Sequence, residues 1–500
     1  MSNLDPRLPV LIGGGQVNQR CDPLEGGLEP VDLLAEAVRG AAADSGVGDA
    51  AGLLAGVDTV SVVQILSWRY RDPGALVAER VGARPKRTVH SSAGGNSPQA
   101  LITRASRDIQ EGLADLVVVG GAEAWRTRMA MRADGGRRPE WTVQDETVRP
   151  TSVVGEDTPL VHPAEMARGV VMPVQQYPLF ESAVRAAAGR SVEQHSVHIS
   201  ELWSRFSEVA AGNPDAWIRQ AFTAEEIRTP GPDNRMIGFP YPKLMNSNNS
   251  VEQAAAVILC SVERAQALGV PADRWVFPWS GTDSTDTAFV SHRSTLAGSP
   301  AIRIAGREAL ALAGVGVDDL AHVDLYSCFP SAVEVAAAEL GLDLDRPLTV
   351  TGGLSFAGGP WNNYVTHAVA TMAMVLRGDA GTIGLCTANG GFLTKHAFGI
   401  YSTAPPPSAS FRWSAPVEEV AAAGAVELCE EWDGPVEVEA VTVMHARTAE
   451  AEQGIVAART PDGRRAWGTT NDTDAMAAME TVETVGLPGH LGADGTFEFA

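Results

Sequence analysis

The feature that most constrains this chain is an order of local signals that occurs twice, in residues 87–121 and again in residues 348–391. Each segment reads as a short apolar strand, a Gly-rich turn, a helical stretch with Pro near its start, a Gly stop and a second apolar strand. Pro suits the first turn of a helix because its missing N–H would have no intrahelical partner there. Apolar strands joined by helical crossovers are typical of parallel βαβ units. The chain is therefore predicted to be an α/β protein, and the long Gly-rich turns favour a duplicated βαβ fold over chance recurrence of a common pattern.

The two related halves are predicted to be separated by an insertion. Residues 1–125 hold the first half, residues 246–404 hold the second, and residues 126–245 show helix signals and little strand. Two capping boxes, Ser191–Gln194 and Thr223–Glu226, predict helix starts inside the insertion. In a capping box the hydroxyl and the carboxylate or amide satisfy backbone N–H groups that have no partner in the helix.

Residues 411–500 have a different pattern of apolar and polar residues from the α/β region. Three consecutive prolines in the preceding segment Thr403–Ser410 remove backbone donors, so no helix or central strand should cross it. Beyond it, Val436–Met444 alternates apolar and polar residues, and Pro461–Gly463 is a hairpin turn signal between two short strands. These residues are predicted to form a small antiparallel β-barrel domain.

Charge and composition exclude several classes of protein. The chain has 61 acidic residues against 38 Lys and Arg, a net charge of −23, so nucleic-acid and membrane-surface partners are not expected. No apolar run approaches the ~20 residues of a membrane span, and no basic region precedes an apolar one at the N-terminus, which favours a cytoplasmic location. The five cysteines are widely separated and never CxxC, and no GxGxxG follows a strand. We therefore expect free thiols, no metal site and no redox cofactor.

One basic cluster contrasts with this acidic background. It lies at the start of the insertion and consists of Arg126, Arg128, Arg132, Arg137 and Arg138. Such a cluster is either an ordinary solvated surface or a patch that holds phosphate groups, because guanidinium groups bind phosphate oxygens in pairs. An anionic small molecule would need such a patch to bind to this chain.

Four motifs in the α/β region carry a family resemblance. They are Val117–Glu123 (VVVGGAE), Leu244–Leu259 (LMNSNNSVEQAAAVIL), Val323–Phe329 (VDLYSCF) and Gly352–Pro360 (GGLSFAGGP). In this order, on a duplicated βαβ scaffold with a helical insertion, they resemble the thiolase superfamily over about residues 5–404. The chain is similar in particular to sterol-carrier-protein-type thiolases and to actinobacterial thiolase-like proteins with an additional C-terminal β domain. The resemblance implies a five-layered α/β/α/β/α fold, acyl-CoA ligands with coenzyme A as part of the substrate, and a possible homo-oligomer.

The catalytic residues that the resemblance implies are not all present. A thiolase has a nucleophilic cysteine at a helix N-terminus and a histidine in a Gly-His-Pro turn, and Gly94 and Gly359 align with these two positions. Tyr326 stands where the family has an Asn or His that helps to bind the thioester oxygen. Cys386 matches the second family cysteine only if its strand is shifted by one residue, and otherwise Thr387 holds that place. Glycine can accept neither an acyl group nor a proton, so ordinary thiolysis is disfavoured.

Other polar residues are candidates for catalysis. His90, just before the first Gly-rich turn, is either a base or a half-buried strand histidine. Tyr326 is either a core aromatic residue or a phenol that acts on a carbonyl oxygen. Asn389 is either a turn residue or, with His396, part of a site at the carboxyl end of its strand, where ligands bind in doubly wound sheets. These four residues and Cys386 are the predicted catalytic set.

Ligand-binding candidates come from two places in the sequence. Ser247 and Asn248 lie in the second family motif, and Arg126 and Arg128 open the basic cluster. We expect these four residues to contact the CoA thioester.

Two hypotheses about function remain open from the sequence. In the first, the protein is an enzyme that acts on an acyl-CoA without standard thiolysis, for example by retro-aldol or other C–C bond chemistry at the thioester. In the second, it is a catalytically silent CoA-thioester-binding protein or accessory subunit. The missing cysteine and histidine favour the second hypothesis, and the polar residues at the strand ends favour the first.

Overall fold

A computed structural model describes residues 4–500. Its strands, in chain order, are β1 (Pro9–Asn18), β2 (Thr59–Val62), β3 (Arg87–Ser91), β4 (Leu116–Ala124), β5 (Ser152–Val154), β6 (Met236–Gly238), β7 (Tyr241–Pro242), β8 (Glu252–Ser261), β9 (Phe277–Thr285), β10 (Leu320–Asp324), β11 (Ile383–Gly390), β12 (Lys395–Ser402), β13 (Arg412–Ser414), β14 (Gly434–His445), β15 (Ala451–Arg459), β16 (Arg465–Thr470), β17 (Pro488–Leu491) and β18 (Phe497–Phe499).

The α-helices, in the same order, are α1 (Pro30–Asp44), α2 (Ala50–Ala55), α3 (Pro73–Val81), α4 (Ser97–Gln110), α5 (Trp125–Ala133), α6 (Pro163–Ala167), α7 (Pro173–Ala187), α8 (Val192–Gly212), α9 (Ala224–Arg228), α10 (Val262–Ala267), α11 (Pro300–Ala313), α12 (Pro330–Leu340), α13 (Gly353–Phe356), α14 (Tyr364–Gly378), α15 (Val417–Ala421) and α16 (Thr473–Thr481). None of the helices in residues 4–500 combines the length and the apolar character needed to cross a membrane.

Two mixed sheets form the α/β region. The first has the order β1-β8-β4-β2-β3-β5, in which β4, β2, β3 and β5 run parallel while β8 is antiparallel to both neighbours. The second has the order β10-β11-β12-β9-β13, with a parallel β10–β11 pair. Most residues of the central strands are buried, as expected of sheets covered on both faces.

The helices stack on these sheets in layers. Helices α1 and α3 cover the outer face of the first sheet, and α11 covers that of the second, with α12 packed against α11. Helices α4 and α14 contact strands of both sheets and so lie between them. The arrangement is the five-layered α/β/α/β/α fold that the resemblance implied.

One element of the repeat differs from its prediction. The sequence predicts a strand at residues 348–351, but the structure has no strand there. The buried Asp324 carboxylate takes the place of a neighbouring strand, because it accepts hydrogen bonds from the backbone N–H of Val350 (2.9 Å) and Thr351 (3.2 Å) and from the Thr349 hydroxyl (3.0 Å). A carboxylate that accepts several such bonds can satisfy a segment outside any ladder.

The insertion consists mainly of helices α5 to α9. Both predicted capping boxes form, at the start of α8 (Ser191 with Gln194) and of α9 (Thr223 with Glu226). The longer helices α7 and α8 pack against α12 of the second half.

Residues 434–499 supply five strands of an antiparallel sheet, in the order β16-β15-β14-β17-β18, and β6 and β7 of the insertion join it beside β14. The sheet begins after the predicted boundary at residue 411, because β13 pairs with β9 of the second sheet instead. The sheet curls so that Thr469, near the end of β16, bridges to Thr496, just before β18. This brings the two edges of the sheet together in a barrel-like shape. A cluster of buried side chains, among them Val436, Val456 and Phe497, fills its interior with Met476 and Met479 of α16. No helix or strand crosses the proline segment, because β12 ends at Ser402 and β13 begins at Arg412.

Candidate functional site

The Gly-rich turn before α4 lies at the meeting point of the two halves. The backbone N–H of Gly94 donates to Asn362 Oδ1 (3.0 Å), and Asn362 Nδ2 donates to the carbonyl of Gln64 (3.0 Å). Lys395 of the second half donates to the carbonyls of Ala93 (3.3 Å) and Glu156 (2.8 Å). The amide of Asn362 and the ammonium group of Lys395 therefore hold this turn, which the resemblance aligns with the nucleophile turn of thiolases.

No side chain fits at the second glycine of this turn. A β-carbon on Gly95 would lie within 3.0 Å of the Tyr326 hydroxyl and of the Asn389 carbonyl oxygen, and 2.8 Å from Tyr326 Cζ. At Gly94 the backbone has φ +152°, a conformation that favours glycine, and a β-carbon would contact Asn96 Oδ1. The phenol of Tyr326 thus takes up space next to the turn that a larger residue would need.

Gly359, the residue aligned with the thiolase histidine, has no room for a side chain either. A β-carbon on Gly359 would lie within 3.0 Å of Ser247 Oγ and 2.9 Å from Asn249 Oδ1. Two backbone hydrogen bonds, Gly359 N–H to Asn248 O (2.9 Å) and Asn248 N–H to Leu354 O (3.0 Å), fix this contact. The predicted ligand-binding residues Ser247 and Asn248 therefore lie against the turn that holds the catalytic histidine in thiolases.

Three of the predicted catalytic residues line one small cavity. Tyr326, Asn389 and His396 surround about 10 Å³ of empty space, room for roughly one water molecule. Asn389 and His396 are direct cross-strand neighbours on β11 and β12. Asn389 Nδ2 donates to the Tyr177 hydroxyl (2.9 Å), whereas its Oδ1 has no partner among the described residues.

The protonation states in this cavity follow from burial. Desolvation lowers the pKa of His396 to about 4, so its ring is neutral near pH 7, and Nε2–H donates to the Leu393 carbonyl (3.0 Å). Desolvation also raises the pKa of Tyr326 well above its ordinary value. The site therefore contains a neutral imidazole and a neutral phenol.

The other two predicted catalytic residues lie elsewhere. Cys386 is fully buried on β11, in register with Asp324 and Gly399, and it does not line the cavity; burial raises the pKa of its thiol. His90 lies on β3 and lines a separate surface pocket, where desolvation lowers the pKa of its ring. The structure therefore does not bring His90 to the cavity that Tyr326, Asn389 and His396 line.

Two open pockets contain most of the predicted arginine cluster. One, of about 570 Å³, and its neighbour, of about 670 Å³, share Trp68, Arg69 and Arg128. The arginines that line one or both are Arg69, Arg71, Arg128, Arg132, Arg137, Arg138 and Arg149. Within residues 4–500 one of these seven, Arg137, forms an ion pair with a carboxylate, that of Asp134. The group is a concentrated, largely uncompensated positive charge on an acidic protein.

Of the two arginines predicted to bind the ligand, Arg128 lies at the pockets and Arg126 does not. Arg128 lines both pockets and donates to the carbonyls of Leu66 (2.9 Å) and Ser67 (2.7 Å). Arg126 lines neither pocket and donates to the Cys21 carbonyl (2.8 Å). The sequence analysis missed Arg69 and Arg71, although their spacing just after β2 was a usable signal because loops at strand ends frequently line ligand sites.

The comparisons with known proteins agree with this fold. Residues 416–496 match the family model of the thiolase-like protein type 1 additional C-terminal domain. The crystal structure of a monomeric SCP2-thiolase like protein type 1 from Mycobacterium smegmatis is 32% identical, covers 99% of this chain and 100% of its own, and superposes with a TM-score of 0.84. An acetyl-CoA acetyltransferase from Methanothermobacter thermautotrophicus is 23% identical over 70% of this chain and 86% of its own length.

A third likeness concerns the fold alone. The Ltp2-ChsH2(DUF35) aldolase covers 80% of this chain and 98% of its own, with 19% identity and a TM-score of 0.60. The fold defines a thiolase-fold protein with an additional C-terminal sheet domain. The chain belongs to the family of SCP2-thiolase-like proteins type 1.

Proposed function

We propose that this protein binds an acyl-CoA thioester and does not carry out thiolysis. The observation that carries the proposal is the state of the two glycine positions. The nucleophile and histidine side chains are missing. At Gly94 a β-carbon would lie within 3.0 Å of Asn96 Oδ1, and at the adjoining Gly95 the space is filled by Tyr326 and the Asn389 backbone. At Gly359 the space is filled by Ser247 and Asn249. Without a thiolate and its base, the acyl-enzyme intermediate of ping-pong transfer has no atom on which to form.

The arginine pockets support coenzyme A as the anionic part of the ligand. Coenzyme A carries a diphosphate and a 3′-phosphate, and guanidinium groups bind phosphates with charge-assisted, often bidentate hydrogen bonds. Trp68 lies between the two pockets and could offer an aromatic face to the adenine, next to Trp141 at 5.4 Å between ring centroids. The net charge of −23 repels anions from the rest of the surface, so the arginine pockets stand out as the place for an anionic ligand.

A short chain of contacts connects these pockets to the Gly-rich turn. Gln64 lines the larger pocket, and its carbonyl accepts from Asn362, whose Oδ1 accepts from the N–H of Gly94. The Gln64 side-chain Oε1 is buried and has no partner among residues 4–500. A ligand held by the arginines could therefore direct its thioester end toward Gln64 and Asn362.

The test compares binding with turnover on the full-length protein. Isothermal titration with acetyl-CoA should show saturable binding, while a thiolysis assay with acetoacetyl-CoA and free CoA should show no rate above the blank. Arg132→Ser and Arg138→Ser should each weaken binding by about 10-fold, the loss of one charge-assisted contact. Arg307→Ser, which removes an exposed arginine on α11, is the matched control and should bind as the parent does. Thiolysis at a rate typical of an enzyme would contradict the proposal.

A second candidate function is C–C bond cleavage at a CoA thioester, of the retro-aldol type. The convergence of Tyr326, Asn389 and His396 on one cavity favours it, and a fold relative is described as an aldolase. A phenol and a neutral imidazole can move a proton at a β-oxygen while an amide binds the thioester oxygen. The cavity must widen for this chemistry, because its present volume admits about one water molecule.

Tyr326→Phe separates this candidate from a silent CoA-binding or accessory subunit. Unchanged acyl-CoA binding together with lost cleavage of a β-hydroxyacyl-CoA would support catalysis by the phenol. If the parent protein, alone or with an added partner subunit, does not cleave the β-hydroxyacyl-CoA, the result supports the silent CoA-binding or accessory role.

A further inference from the structure

A buried cluster of two carboxylates and a histidine lies far from the Gly-rich turn in the sequence and plays no part in the site described above. Three helices contribute one residue each: Glu181 from α7, His195 from α8 and Glu334 from α12. Their exposed fractions are 0%, 1% and 4%. The cluster therefore lies where the insertion packs against the second half.

The potential ligand atoms of these residues converge. One oxygen of each carboxylate and one ring nitrogen of His195 all lie within 4.8 Å of one another. His195 Nε2 lies 2.5 Å from Glu181 Oε1 and 3.7 Å from Glu334 Oε2. His198, one helical turn after His195, places its Nε2 3.2 Å from Glu334 Oε1. Two imidazoles and two carboxylates form a donor set that suits divalent transition metals.

One atom of the cluster has no partner. Glu334 Oε2 is buried and accepts no hydrogen bond from any described residue, and it faces His195 Nε2. Glu181 is better satisfied, because the Tyr241 hydroxyl donates to its other oxygen. A buried carboxylate oxygen without a donor is costly unless a cation or a proton compensates it.

The neighbouring positive charges do not compensate both carboxylates. Arg185 is buried, but its guanidinium already donates two hydrogen bonds, of 2.8 and 3.0 Å, to Glu483, which follows α16. Arg190 approaches Glu334 Oε1 at 3.3 Å and is 31% exposed. One partly solvated guanidinium thus faces two buried carboxylates, which leaves room for a further positive charge.

We propose that Glu181, His195 and Glu334 bind a divalent transition-metal ion, with Zn²⁺ as the expected ion and His198 or a water molecule as the fourth ligand. With bonds of 2.0–2.2 Å, the ligand atoms of a tetrahedral site lie about 3.4 Å apart. The separation of His195 from Glu334 already fits this value. The closer pair, His195 and Glu181, must open by about 1 Å, a change within reach of side-chain rotation.

Binding also sets the tautomer of His195. Nε2 must lose its proton to coordinate the metal, so Nδ1 carries it. Arg190 Nη1 now lies 3.4 Å from Nδ1 and must turn away toward solvent, which its exposure allows. The partly exposed His198 and Arg190 also mark the path by which an ion can enter.

The bound metal would join α7 and α8 of the insertion to α12. The insertion would then be fixed to the second half by coordination bonds as well as by packing, and metal would stabilise the folded chain by mass action. This site runs against the expectation from the sequence, where the ligands are separated by long intervals and form no recognisable spacing.

The experiment loads the intact protein with cobalt as a probe for zinc. Protein stripped with a chelator and dialysed is titrated with Co²⁺ and read by visible absorption, then with Zn²⁺ in competition, with the bound metal counted by elemental analysis. We expect one ion per chain, d–d bands typical of a low-coordinate site, displacement by Zn²⁺ and a raised thermal midpoint. Glu334→Gln keeps the shape but removes the ligand charge, and His195→Gln removes the nitrogen; each should weaken binding at least about 100-fold.

The control has a similar histidine–carboxylate contact without the second carboxylate. His445 bonds Glu480 at 2.6 Å in the C-terminal sheet, so His445→Gln should leave metal binding unchanged. Absence of metal binding by the parent protein, or equal binding by the parent and Glu334→Gln, would overturn the proposal. The first result would mean that a proton shared by Glu181 and Glu334 balances the cluster instead.

Discussion

The Tyr326 hydroxyl occupies the space that a side chain on Gly95 would need, so Gly95 cannot be replaced by a larger residue while Tyr326 is in place. Tyr326 comes from the loop after β10 in the second half, and Gly95 comes from the turn before α4 in the first half. A phenol from the second half therefore closes the Gly-rich turn of the first half against any side chain at Gly95.

The first prediction follows from this packing. Gly95→Ala should destabilise the protein by about 1–3 kcal/mol, the usual cost of overpacking a filled interior. Adding Tyr326→Phe should recover part of the loss, because the hydroxyl clash disappears. Gly212→Ala is the control, since a β-carbon there meets nothing within 4 Å, and it should not destabilise. Denaturant midpoints measure all three, and a fully tolerated Gly95→Ala would show that the turn is less closed than described.

The second prediction concerns phosphate recognition by the arginine pockets. Coenzyme A should bind at least about 10-fold more tightly than dephospho-CoA, because the 3′-phosphate adds charge-assisted hydrogen bonds. The difference should shrink as salt rises from 0.05 to 0.5 M, since these arginines are mostly exposed and their charges are screened. Equal affinities at low salt would indicate that the pockets do not hold that phosphate.

The third prediction tests how the C-terminal sheet is attached. Arg465 is fully buried; it donates to Glu439 on β14 and to the carbonyls of Val290 (3.0 Å), Ser291 (3.0 Å) and Arg293 (2.8 Å) in the second half. Arg465→Met should cost about 3–5 kcal/mol, because Glu439 and three carbonyls lose their donor. It should also make the segment 403–411 more sensitive to protease.

The neighbouring arginine is its control. Arg464 is partly exposed and pairs with the exposed Asp462, so Arg464→Met should leave stability and proteolysis nearly unchanged. Equal effects of the two substitutions would contradict the role assigned to Arg465.

The fourth prediction is a pH dependence. The hydrogen bond that His445 donates to the Glu480 carboxylate raises the pKa of His445 above its ordinary 6.5, and burial opposes this rise only in part. A group whose pKa is higher in the folded state stabilises fully below its unfolded value and loses that contribution as pH rises through the folded value. The parent should therefore exceed His445→Gln in stability by up to about 1 kcal/mol near pH 5.5, and the gap should close toward pH 8.5. Glu480→Gln should reproduce the same pH profile, and a gap that stays constant with pH would refute it.

Much of the architecture could be predicted from the sequence because it rests on local rules. The period of the apolar residues, the Gly and Pro punctuation and the capping boxes at Ser191 and Thr223 each depend on neighbours within a few residues. The order of motifs was enough for the thiolase resemblance. The proline segment did not mark the change of sheet, because β13 after it still pairs with β9 and the antiparallel sheet begins at Gly434. The strand expected at residues 348–351 failed because Asp324, distant in sequence, satisfies those backbone groups instead.

Tertiary structure alone decided which polar residues meet. Tyr326, Asn389 and His396 share a cavity because β11 and β12 pair in one register, whereas His90 faces another pocket and Cys386 lies in the core. The sequence showed that Gly94 and Gly359 lack functional groups, but not that Tyr326 and Ser247 fill the space beside the two turns. It also gave no sign of the cluster of Glu181, His195 and Glu334, since three helices bring these residues together. Local structure follows from short-range sterics and hydrogen bonds, while a site of this kind depends on long-range packing that no short stretch of sequence encodes.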